Sequence, residues 1–202
     1  PGMREKEVAW QIEHLGRKGG AEGLAFPPIV ASGPRSALPH AMPTDRELQA
    51  GEPIVIDAGV RYQGYCSDIT RTVFVGDPDL EFQQIYRIVR EAQLSAIQEI
   101  RADVPSTHVD GIARKIIEEA GYGKYFGHGL GHGVGLATHE RPRLGPGKPT
   151  TLREGMVVTV EPGIYIPDKG GVRLEETVVI ERGGARVLTQ NDYYHDFDGG
   201  AG

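Results

Sequence analysis

The sequence holds one cysteine, Cys66, so no disulfide can close within its 202 residues. A single free thiol fits a reducing compartment such as the cytosol. No apolar run approaches the roughly 20 residues that a membrane-spanning helix needs, and no signal-peptide pattern opens the chain. Positive charge is not in excess either. Lys and Arg number 22 against 28 Asp and Glu, for a net charge of −6, which argues against nucleic acid as the main partner. Pro1 stands where Met would begin a chain, as in a processed or partial sequence. What is present, 39% hydrophobic and 25% charged residues, is ordinary for a soluble globular protein. Seven histidines and many carboxylates leave ample material for metal ligands.

Residues 4–18 read as an amphipathic helix, with Val8, Ile12 and Leu15 on one stripe and Trp10 on a second face. A proline-interrupted strand over 24–31 leads to a loop over 32–44 that carries His40. A hairpin is predicted over 53–75, then helices over about 80–102 and 106–120, with Ser106 or Thr107 as the cap of the second. Glycine-dense residues 127–135 and a Pro/Gly-rich loop from 139 to 149 follow. Residues 156–166 and 172–180 form a second strand pair, and 190–202 read as a frayed polar tail.

Two carboxylates interrupt the β-branched runs of the first hairpin, Asp57 and Asp68. With the hairpin centred between Tyr62 and Gln63, they face each other. Like charges directly opposite are destabilising, and half-buried carboxylates need a partner; a cation between them answers both. The second hairpin does the same with Glu161 and Glu175, equidistant from Asp168. Leu48-x-x-Gly51 before Ile54–Gly59 repeats as Leu152-x-x-Gly155 before Val158–Gly163, at an offset of 104 that also lays Val8 on Ile112. The chain thus reads as a single α+β domain over 1–202, with halves at about 4–102 and 106–188, each giving a carboxylate hairpin to one centre.

Four carboxylates and an imidazole from among His128, His132 and His139 suit divalent ions, Mn²⁺ above all, with Co²⁺, Fe²⁺ or Zn²⁺ also accepted. Their charge matches two ions, which activate a water for hydrolysis. His14, His108 and His195 read as surface or helix-end residues, Cys66 as a small packing residue, and Arg141 and Lys148 as solvated loop.

The set Asp57, Asp68, His132, Glu161 and Glu175 resembles the dinuclear site of the pita-bread metallopeptidases, which include methionine aminopeptidase, aminopeptidase P and prolidase. The motifs are Pro39-His40, Ile56-Asp57-Ala58-Gly59, Gly64–Thr72, His128–Gly135, His139-Glu140, Glu161-Pro162-Gly163 and Val172–Glu176. Gly64–Thr72 and His139–Arg143 are similar to the Xaa-Pro dipeptidase and aminopeptidase P branch. The resemblance implies the pita-bread fold, with Asp57 and Glu161 holding ions and Asp68 and Glu175 bridging or chelating them. It also implies that His40, His128 and His139 meet the substrate or steady the intermediate, that Glu161 carries a proton, and that Arg143 meets the substrate carboxylate. Arg173 would brace the ligands. Members of this branch usually carry an N-terminal domain ahead of the catalytic one; this sequence begins at the catalytic domain.

The expected function is hydrolysis of the bond before proline in Xaa-Pro peptides by a cytoplasmic, metal-dependent enzyme, with a homodimer allowed and no nucleic-acid or membrane partner. The alternatives are a non-catalytic pita-bread module that binds peptides or proteins, a creatinase-like enzyme without metal, and methionine aminopeptidase-like specificity.

Overall fold

The computed structural model describes residues 2–189 and 194–197. Its first helix, α1 (Glu5–Lys18), turns Val8, Ala9 and Ile12 onto a cluster of Val30, Leu48 and Ile54, as the helical spacing predicts. Leu15 and Trp10 are instead each 60% exposed, and Trp10 stacks on His14. The inward face of α1 is therefore shorter than the predicted stripe, and Trp10 has no second packing face.

Strands β1 (Gly23–Leu24) and β2 (Ile29–Ser32) flank Pro27 and Pro28, which have no N–H to give a ladder. A short 3-10 helix, Gly33–Ala37, interrupts the loop that carries His40. β3 (Pro53–Ala58) then sits between β2 and β6 (Ile69–Phe74) in an antiparallel sheet. β4 (Val60–Tyr62) and β5 (Tyr65–Cys66) form the hairpin tip, in a separate sheet with β1. Gln63 and Gly64 both have positive φ, 49° and 80°, the signature of a type I′ turn. The hairpin is thus centred between Gln63 and Gly64, not between Tyr62 and Gln63. Asp57 consequently pairs with Thr70 rather than with Asp68. The shift moves the partner by two positions, so side-chain parity is kept and Asp68 lies diagonal to Asp57.

Helix α2 (Leu80–Glu99) starts where the Asp79 carboxylate accepts the Phe82 N–H at 2.8 Å. Helix α3 (Ser106–Glu119) has Pro105 at its N-cap; the Ser106 hydroxyl accepts from Thr150 N instead of capping. The second sheet has the order β13-β12-β9-β7-β8. Its strands are β7 (Gly131–Gly133), β8 (Glu140–Leu144), β9 (Val157–Val160), β12 (Glu176–Glu181) and β13 (Gly184–Val187). β8 replaces the predicted loop after His139, and its edge position accommodates Pro142. β10 (Gly163–Ile166) and β11 (Gly170–Arg173) pair separately. Val160 opposes Glu176 and Gly163 opposes Arg173, so Glu161 and Glu175 do lie across from each other.

The two predicted halves do not follow a single offset. Arg4 bridges Glu47 and Pro105 bridges Thr151, so the strands repeat at 104 and the helices at 101. Val8 corresponds to buried Val109 rather than to Ile112. The predicted frayed tail is corrected where it is described: Tyr194 and Phe197 pack on the core. His195 is not a surface residue, because it stacks on Phe197 and meets Phe74 and Tyr86 edge-on. Residues 190–193 and 198–202 lie outside the described residues. His14 and His108 are exposed, as expected. Among the described residues, no helix is long and apolar enough to cross a membrane.

Candidate metal centre

A cavity of about 600 Å³ is lined from both halves. All nine residues singled out in the sequence reach it: Asp57, Asp68, His132, Glu161, Glu175, His40, His128, His139 and Arg143. The carboxylates come from the places where the hairpins change sheet. Asp57 and Asp68 flank the break between β3–β6 and the β4–β5 tip, and Glu161 and Glu175 flank the break between β9–β12 and β10–β11.

His132 sits on β7 between two glycines that no other residue could replace. A Cβ on Gly131 would lie 2.0 Å from the Thr159 carbonyl oxygen, and one on Gly133 2.4 Å from that of Arg141. The histidine's Nδ1 lies 2.9 Å from the Gly133 carbonyl. A carbonyl only accepts, so the ring proton belongs on Nδ1 and Nε2 is the ligand atom. Nε2 lies 3.3 Å from Glu161 Oε1 and 3.8 Å from Asp68 Oδ2. Ligand atoms of Asp68, His132 and Glu175 all fall within 4.8 Å of one another.

The remaining carboxylate oxygens are held by neighbours. Thr70 donates its hydroxyl to Glu175 Oε2 at 2.7 Å, and Thr159 donates to Glu161 Oε1 at 3.2 Å. Arg173 Nη2 donates to Asp57 Oδ2 at 2.8 Å. Among the described residues, buried Asp57 Oδ1 has no partner within hydrogen-bond geometry. A buried anionic oxygen left open is a costly arrangement, and it fits a cation at that point.

The electrostatics point the same way. Burial, with Asp57 and Glu161 nearby, pushes Asp68 up to about 8. Burial and the same crowding raise Glu175 well above the carboxylate range. Asp57 is also raised, burial outweighing the Arg173 guanidinium. Glu161 is held low despite its burial, by its hydrogen bond with His132 and the charge of Arg173, and His132 is raised in return. Three of four carboxylates thus resist ionisation together without added positive charge. Divalent cations would supply that charge, and the oxygen-rich donor set with one imidazole suits them.

Around this centre the other histidines differ in freedom. His128 Nδ1 lies 2.8 Å from the Gly129 carbonyl and Nε2 lies 2.8 Å from Tyr165 Oη. Both its ring nitrogens are therefore committed within the protein. Arg173 Nη1 donates to Tyr165 Oη at 3.0 Å, so Asp57, Arg173, Tyr165 and His128 form one chain. His139 packs on His132 with ring centroids 4.1 Å apart; burial and the neighbouring imidazole charge lower it. Arg143 on β8 pairs in register with His132. Thr70, Thr159 and Tyr165 were not singled out in the sequence. A hydroxyl two residues from a candidate ligand is the signal that could have found the two threonines; Tyr165, four residues past Glu161, carries no such signal. Cys66 stays outside the cavity lining, its Sγ 3.7 Å from the Leu136 carbonyl.

Comparison with known proteins gives this geometry its relatives. Residues 1–182 match the model of metallopeptidase family M24. The chain is 51% identical over 191 residues to the Xaa-Pro dipeptidase of Pyrococcus horikoshii, covering 95% of this chain and 54% of that protein. Among solved structures, the prolidase from Pyrococcus furiosus superposes with a TM-score of 0.93 at 51% identity, over 95% of this chain and 57% of that one. An X-Pro aminopeptidase from Thermotoga maritima gives 0.92 at 48% identity, over 94% and 54%. The chain spans about half the length of the curated relatives it matches. The fold is the pita-bread fold expected from the sequence. The site and the comparisons meet on one conclusion: this chain belongs to metallopeptidase family M24.

Proposed function

We propose that the protein hydrolyses the bond before proline in Xaa-Pro peptides, using two divalent ions, Mn²⁺ by preference, held by Asp57, Asp68, His132, Glu161 and Glu175. The supporting observation is one cavity in which four carboxylates and an imidazole converge, three of the acids resist ionisation, and Asp57 Oδ1 has no hydrogen-bond partner among the described residues. The relatives' names supply the substrate class. When bound, the ions would supply Lewis acidity and an activated water.

The chain's own residues do the rest. Asp57, Asp68, Glu161 and Glu175 would hold the ions together with His132, and Glu161 would carry the proton. His139, lowered and therefore neutral at pH 7, gives an N–H to the developing oxyanion. Arg143 offers its fork to the substrate carboxylate. His40 completes the wall, and Phe26, Pro27 and Ile29 give it an apolar side that keeps water from the proline ring. His128 acts through Tyr165 instead of touching substrate. The same reading places the enzyme in the cytoplasm and allows a homodimer.

The test is hydrolysis of Xaa-Pro, Xaa-Pro-Yaa and Met-Ala peptides after Mn²⁺, Co²⁺ or Zn²⁺ loading. Cleavage before proline, lost in Glu175→Ala along with bound metal, is the expected result. Cleavage of Met-Ala alone would overturn the proline assignment, and less than one ion per chain after loading would favour a binding module.

A further inference from the structure

Glu5, the first residue of α1, has a feature that the reaction does not explain. Acids in a first helical turn usually sit in solvent and complement the helix dipole. Glu5 is fully buried. Its Oε1 accepts from Ser32 N at 2.8 Å and Ser32 Oγ at 2.9 Å. Its Oε2 accepts from Thr44 N at 2.9 Å, Thr44 Oγ1 at 2.7 Å and Arg35 Nε at 3.2 Å. One carboxylate therefore ties together the two ends of the segment 33–43, the segment that brings His40 and Met42 to the cavity. The interior of that segment is pinned by two guanidiniums. Arg35 Nη2 donates to the Met42 carbonyl at 2.6 Å, and Arg173 Nη1, from the ligand-bracing arginine, donates to the Pro39 carbonyl at 3.1 Å.

We infer that Glu5 is a positioning residue: by closing the ends of segment 33–43 it sets where the His40 imidazole stands in the cavity. Glu5 touches neither the cavity nor the carboxylate cluster, so it acts only through the segment. Charge-assisted hydrogen bonds to both ends are the strong kind, and a reacting group displaced by about 1 Å can cost about a hundredfold in rate. The inference rests on the reading of His40 as part of the reaction site.

The experiment compares Glu5→Gln and the milder Thr44→Val, which removes one of the five donors, each made with and without His40→Ala. Glu13→Gln, a half-exposed acid on the same helix that pairs with Arg17, is the control. On an Xaa-Pro substrate with Mn²⁺ loaded, Glu5→Gln is expected to lower kcat by between about ten- and a hundredfold, with bound metal and KM near wild type. In the His40→Ala background the same change should cost almost nothing further. Equal losses in both backgrounds would show a merely structural tie and overturn the inference. Thr44→Val should show the same non-additivity on a smaller scale, and it decides the matter if Glu5→Gln does not fold. The His40 ring signals in a histidine-labelled NMR spectrum provide a readout independent of activity. They should move in either variant while those of exposed His108 stay. An unmoved His40 overturns the inference. A moved His40 in a protein that leaves Xaa-Pro peptides intact supports it and removes the activity reading alone.

Discussion

The stretch before Phe74 and the stretch from Phe74 onward are held together by different means. The large hydrophobic core runs from Phe74 to Ile180 and includes α2, α3 and the five-stranded sheet; no described residue before Phe74 belongs to it. Before Phe74 the described residues of the first half form two small apolar clusters, Ile29 with Ala31 and Ala41, and Val30 with Leu48 and Ile54. Its cohesion comes in larger part from polar ties, of which the five hydrogen bonds into Glu5 are the densest. The ligand pairs differ too: Glu161 and Glu175 oppose each other, while Asp57 and Asp68 are diagonal. Both carboxylate pairs reach one cavity, on different supports. A metal cluster needs the shared cavity and not a shared support.

Three measurements can break or sharpen this contrast. The largest effect is expected from truncation in the two cores. Ile180→Ala removes a fully buried side chain of the main core and should cost about 3–5 kcal/mol, whereas Leu48→Ala in the small cluster should cost nearer 2 kcal/mol, both by urea unfolding. Equal costs would erase the contrast. Next comes the link between halves. Arg173→Lys removes the fork that joins Asp57, Tyr165 and the Pro39 carbonyl, and should lower kcat/KM by about ten- to a hundredfold with weakened metal binding. An unchanged rate would mean that the halves assemble the site independently.

The smallest shift concerns pH. Asp57, Asp68 and Glu175 are raised in the fold, so these acids keep protons in the native metal-free protein that the unfolded chain has lost; the lowered His128, His139 and His195 act the other way in the imidazole range, and above it the acids decide. Stability then falls as pH rises, since the slope follows the protons bound by the unfolded state minus those bound by the native state. Chelated protein should therefore lose Tm from pH 7 to pH 8, and metal-loaded protein should not. A Tm of chelated protein that rises over this range would contradict the crowding of the four acids.

Much of the site was legible because its chemistry violates the pattern around it. An acid inside a β-branched run stands out in a way that a buried leucine does not, and the strand repeat doubled that signal. The hairpin register was not legible, since alternation fixes parity and leaves the centre to the turn. Only the positive φ of Gln63 and Gly64 decides it. The three-residue slip between helix and strand offsets lay hidden in a loop. Strand β8 was masked by Pro142, which an edge position tolerates. Glu5 was invisible for another reason: nothing in its neighbours along the chain tells a buried carboxylate from a solvated one, because its donors lie 27 to 39 residues away.

The bond between Arg173 and Asp57 spans 116 residues of sequence. A ribosome adding roughly 5–20 residues per second takes between about 6 and 23 s to cover that distance. During synthesis Asp57 therefore emerges long before the guanidinium that will hold it. The nascent first half waits with its carboxylate unheld, and the candidate metal centre is completed only when residues 173 and 175 follow.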